Sequence, residues 1–154
     1  MMTASLDVRQ WLNKTDKLRG IFRDKPALLK AAFSIAGFRD IQDHFRNEEG
    51  PSGRWQARKD STQKSYAQRG KTNARYNPSN KILQLTGALR QSVMASTGTM
   101  RTLNANTIQV FANSNYGGVH DRGNAKMPKR SFMWLSKNAL DQMNEIILKR
   151  LREI

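Results

Sequence analysis

Three groupings of residues have the types that chemistry or binding requires. Asp40, Asp43 and His44 fall at offsets i, i+3 and i+4. On a helix these would share one face, and a hydrolytic metal site needs such convergent carboxylate and imidazole donors. Phe38 and Ile41 lie between and before them, so the triplet is read as the solvated face opposite an apolar one. His120 and Asp121 are adjacent, and neighbours on a loop diverge. No Ser or Lys context makes them part of a triad, so His120 is read as a hydrogen-bonding structural residue. Gly87 and the pair Gly117-Gly118 match neither the P-loop nor the dinucleotide glycine pattern. With no cysteine, thiol nucleophiles, thiolate metal sites and disulfides are excluded. The expectation is no enzyme, no metal and no cofactor.

The third grouping is a run of cations interleaved with aromatics: Arg54, Trp55, Arg58, Lys59, Lys64, Tyr66, Arg69, Lys71, Arg75 and Tyr76. Such a run supplies phosphate contacts with stacking partners. Equally, Trp55 can anchor the segment on a hydrophobic patch while the cations face solvent. The run belongs to a wider imbalance of 27 Lys+Arg against 12 Asp+Glu, a formal charge of +15. Residues 46–90 carry 10 basic and 3 acidic side chains, and residues 122–154 carry 8 and 3. Residues 91–121 hold only Arg101 and Asp121. Copies with such an excess repel one another unless an anionic partner intervenes, either nucleic acid or an acidic protein face.

The elements that must position these groups fit one domain over residues 1–154, of α+β class. Residues 1–45 read as a helical N-terminal region. Apolar residues recur at helical spacing through 5–22, with Ser5 as N-cap, and again from Leu28 through Ile35, Phe38 and Ile41 to Phe45 after Pro26. Residues 46–81 are poor in aliphatic side chains and read as a long, extended basic arm or loop that packs on neighbouring subunits, with room for a short helix near 58–68. Within 82–135 the alternation of Ile108, Val110 and Ala112 predicts a strand, and 89–113 is read as an antiparallel hairpin, making a small antiparallel sheet. The stretch from Asn115 to Phe132 is read as loop and tight turns. A C-terminal helix over 136–154, capped by Ser136, completes the chain. No apolar run approaches the roughly 18–20 residues of a bilayer span, and the first residues lack a signal-peptide pattern, so no membrane partner is expected.

Four motifs follow one another along this framework: Pro51-Ser52-Gly53-Arg54-Trp55, Leu85-Thr86-Gly87-Ala88-Leu89-Arg90-Gln91-Ser92, Tyr116-Gly117-Gly118-Val119-His120-Asp121-Arg122-Gly123 and Met127-Pro128-Lys129-Arg130-Ser131-Phe132. Over roughly residues 26–150 the chain thereby resembles the tailed-phage virion morphogenesis, or tail completion, proteins. Gly117 stands where that pattern has Ala, and Asp121 where it has Gln. The resemblance implies a structural virion protein at the tail or neck, assembled in the host cytoplasm and forming a homo-oligomeric ring, most often a hexamer. Its partners would be the tail tube and/or the head–tail connector proteins, with non-specific contact to packaged DNA in the lumen. Trp55, Arg58, Tyr66 and Tyr76 in the arm, with His120, Arg122, Lys129 and Arg130 beside the sheet, are the expected assembly residues. The alternatives are a free, non-specific nucleic-acid-binding protein and a small metal-dependent nuclease using Asp40, Asp43 or His44.

Overall fold

The computed structural model describes residues 20, 24–76, 81–94, 100–104 and 106–153. The helix expected over 5–22 lies, but for Gly20, outside them. A long helical rod opens the described chain. Its first part, α1 (Lys25–Ala32), starts where the Asp24 carboxylate accepts from the Ala27 amide, with proline in the first turn. A π-helical turn (Phe33–Gly37) leads into α2 (Phe38–Asn47). That turn comes from a close approach. The Phe33 ring lies across Gly37, where a Cβ would stand 2.6 Å from it, and packs edge-on against Phe38 at 5.1 Å.

The extra residue of the π turn changes which side chains face inward. Ala32, Phe33, Ala36, Phe38, Ile41 and Phe45 are buried, whereas Ile35, expected on the apolar stripe, is 62% exposed. The reading of Asp40, Asp43 and His44 as one solvated face is corrected too. His44 is buried and stacks on Trp134, with centroids 4.1 Å apart and planes 4° apart. The Phe132 carbonyl accepts from its Nδ1 (3.2 Å). Asp40 accepts from the Ser136 amide and hydroxyl at 2.8 and 2.6 Å. Only Asp43 stays at the surface, paired with Arg46 at 2.8 Å. The partners Phe132, Trp134 and Ser136 come from about ninety residues downstream, which a local pattern does not contain.

After α2, Glu48 takes a left-handed conformation and the chain turns through a minimal ladder of β1 (Glu49–Gly50) and β2 (Gly53–Arg54). It then enters the core at Trp55 and runs to α3 (Asp60–Gly70), followed by a 3-10 turn (Ala74–Tyr76). Next comes α4 (Ala88–Met94), started by Thr86, whose hydroxyl accepts from the Ala88 amide, and by Gly87 at φ +73°. The sequence reading had placed one arm of a hairpin here. Ala88, Leu89, Arg90, Gln91 and Met94 are good helix formers, and Leu89 and Val93 at i, i+4 both reach the core. The hairpin is shorter than expected. It joins β3 (Met100–Asn104) to β4 (Thr107–Val110) antiparallel, with a register shift near Asn104, so both its strands lie within residues 100–110 of the expected 89–113.

A second correction is α5 (Gly117–Arg122), a short helix in the stretch read as loop. Its glycines disfavour a helix, but packing decides. Gly117 is buried, and a Cβ there would meet Ala112 and Leu89 at 3.3 Å. The segment 123–136 has no regular structure, yet Phe132 near its end reaches the centre of the molecule. Phe132 is fully buried against Phe45. Asp121 Oδ1 accepts from the amides of Phe132 and Met133 at 3.1 and 3.2 Å. Ser136 then caps α6 (Lys137–Arg152), its side chain accepting from the Ala139 amide. Ala139 and Met143 bury the inner face of α6, which packs on the π turn and α1, while the hairpin rests on α1. The result is α+β, with helices around two small antiparallel ladders among the described residues. No described helix is long and apolar enough to cross a membrane.

Candidate functional site

The first turn of α3, the 82–89 segment and the 116–130 segment wall a cleft of about 450 Å³. Arg130 is its most constrained member. Only 8% exposed, it donates from Nε and Nη2 to the Gln56 carbonyl at 3.1 and 3.0 Å. Its backbone amide donates to the His120 carbonyl at 2.8 Å. Burial, and then the neighbouring Arg58 charge, lower its pKa from the ordinary arginine value, with Tyr66 acting the other way. Arginine remains charged at neutral pH, so the cleft wall holds a fixed cation.

Arg58 is fixed as well. Its Nη2 donates to the Lys81 carbonyl at 2.7 Å, and its guanidinium lies 5.3 Å from the Tyr66 ring centroid. Tyr66 meets Tyr76 edge-on at 5.7 Å, and Arg69 lies 5.4 Å from the Tyr76 centroid. Arg58 and Arg69 thus bracket a Tyr66–Tyr76 pair around α3, none of whose residues is fully buried. His120 meets Tyr116 edge-on at 6.0 Å, and its Nδ1 is buried without a hydrogen-bond partner. Burial, and secondarily Arg130, lower the His120 pKa from 6.5, which favours the neutral imidazole.

Of the residues singled out from the sequence, Arg58, Tyr66, His120 and Arg130 line this one cleft. Tyr76 stands behind Tyr66. Trp55 lies in the core, where its indole N–H donates to the Ser131 carbonyl at 3.0 Å and its ring meets Phe45 edge-on. Arg122 and Lys129 are exposed and do not line the cleft. Lys59 and Lys126 line it without having been marked as site residues. Lys59 was legible as part of the cationic run, but Lys126 is brought there by the tight turn in which Asn124 Oδ1 accepts from the Lys126 and Met127 amides. Gly123, at φ +74°, begins that turn with its Cα hydrogens against the Lys129 backbone.

Among the described residues no three of His, Asp and Glu gather as a metal site. Asp121 shows why neighbouring chemistry-bearing residues need not make a centre: its carboxylate is committed to two amides while the His120 ring faces Tyr116. The arrangement offers a fixed positive field over an apolar floor, which suits binding.

The profile of the phage virion morphogenesis family matches residues 8–152. The chain belongs to that family. No curated protein and no solved structure matches it. The family match spans α1 to α6, so the cleft and the 123–136 segment of this virion morphogenesis protein fall within it. Membership makes it a virion-associated protein of phage assembly.

Proposed function

We propose that this protein is a non-enzymatic building block of a tailed-phage particle, a tail completion or head–tail joining subunit that closes into a ring, most often of six copies. Its place is the tail-tube end or the connector interface at the neck. Family membership supports the reading at the level of virion assembly. The observation that carries it further is α3, an eleven-residue helix none of whose residues is fully buried, yet which holds ordered cation–aromatic contacts. A helix of this length gains little from backbone propensity alone, and its exposed face is one that packing on a neighbouring subunit would stabilise.

Ring closure by rotation pairs two different patches of each subunit. With +15 on every copy, closure also requires anionic counterparts: acidic faces of the tube or connector, or packaged DNA in the lumen. Imaging of the intact particle tests this reading. Density for this chain at the head–tail junction, repeated by rotational symmetry, is the expected result. Absence from mature particles would overturn it, as would a monomer that binds duplex DNA with a steep salt dependence.

A further inference from the structure

We infer that the cleft between α3, the 82–89 segment and the 116–130 segment is a docking slot for an acidic peptide segment carrying a bulky apolar side chain, donated by another protein of the particle. The inference rests on the assembly reading for the source of the peptide; the chemistry of the slot stands on its own geometry.

Charge complementarity carries it. Arg58, Lys59, Lys126 and Arg130 line the cleft, and among the described residues no Asp or Glu does. The carboxylates that border it in sequence are engaged elsewhere. Glu48 accepts from the Ile82 amide, and Asp121 accepts from the Phe132 and Met133 amides. Asp60 opens α3 at the surface, outside the lining. The two guanidiniums are held in place by the carbonyls of Gln56 and Lys81, so little side-chain freedom is lost when an anion arrives. The exposed Lys59 and Lys126 stand free to close on it.

The floor decides between peptide and nucleic acid. Ile82, Leu85, Leu89 and Met127 make up the apolar part of the lining. A phosphate backbone has no apolar group to place there, and a duplex is too broad to enter a cavity of about 450 Å³. That volume accepts one or two large side chains, and burying a Leu or Phe on the floor adds affinity that charge alone does not supply. Carboxylates flanking such a side chain reach the cations at the rim, which set orientation and association rate.

The test is selection of a random-peptide library against the full-length protein at about physiological salt, followed by affinity measurement on an enriched peptide. Peptides that combine Asp or Glu with Leu, Ile, Phe or Trp are expected. Their binding should weaken about tenfold or more in the Lys59→Glu/Lys126→Glu double variant, whose exposed positions leave the fold intact. The Lys149→Glu/Arg150→Glu variant, with the same charge change on α6, should shift it by less than about twofold. Failure to enrich acidic peptides, or equal weakening in both variants, would overturn the slot. So would a short duplex DNA that displaces the peptide and loses its own binding only in the Lys59→Glu/Lys126→Glu variant. The failures separate cleanly: a chain imaged at the neck whose cleft selects no acidic peptide refutes the slot alone. A chain missing from particles whose cleft still selects them refutes only the neck assignment and the particle as the peptide's source.

Discussion

Trp55 tests the physical account most sharply, because its residue type and setting suit an assembly contact whereas its geometry ties it to its own core. The side chain is 7% exposed, meets Phe45 edge-on at 5.8 Å and donates to the Ser131 carbonyl. Burying about 200 Å² of a Trp at roughly 25 cal/mol per Å² gives about 5 kcal/mol, an upper figure because unfolded chains already bury some surface. Trp55→Ala should therefore destabilise the isolated subunit by about 4 kcal/mol, within the range seen for large-to-small core changes. For a chain of this size that lowers the melting temperature by roughly 8–16 °C. Trp55→Phe keeps the ring contact and loses the indole N–H, leaving the Ser131 carbonyl unpaired at about 1–2 kcal/mol, or roughly 2–8 °C. Thermal melts followed by near-UV circular dichroism, at dilution that keeps the subunit monomeric, read both. If Trp55→Ala melts within about a degree of the wild type, the residue does not support the monomer and the packing argument is wrong.

The bond from Ser136 to Asp40 should couple α6 to α2: Ser136→Ala costs about 1–2 kcal/mol, and a double-mutant cycle with Asp40→Ala should give about 1 kcal/mol or more of coupling by denaturant titration. Additivity to within about 0.3 kcal/mol would refute that link. His120 should make stability pH-dependent in one direction. Its pKa is lowered in the folded state, so as pH drops through the unfolded value of 6.5 the unfolded chain binds more protons and stability decreases, while well above 6.5 the group contributes no slope. His120→Gln should flatten melting temperature between about pH 7 and 5, and an unchanged slope would show that the imidazole is not held neutral.

Local signals in the sequence marked the helix starts and turns. Pro26, Ser136, Gly87 and Gly123 act as their types suggest, because capping and left-handed backbone are set by a few adjacent atoms. Patterns of apolar spacing worked where a helix is regular and misled at the π turn, which rotates Ile35 outward. The short helix α5 was hidden because its glycines argue against helix, and only Leu89, Ala112 and Phe132 packing on Gly117 favour it. For the same reason His44 read as a surface residue: the indole that covers it arrives from Trp134. Half of the site was legible as chemistry. Arg58, Tyr66, His120 and Arg130 could be picked out one by one, but their convergence depends on the 116–130 segment folding back on α3, which no local spacing encodes.

The strap from Met127 to Ser136 has a consequence for how the chain is made. Its bonds reach back 96 residues to Asp40, 88 to His44 and 76 to Trp55. Until Ser131 and Phe132 are added, the nascent rod and Trp55 lack the strap that completes their core, and one side of Phe45 stays uncovered. A product that stops before Ser131 therefore cannot complete this core and is an easy substrate for proteases.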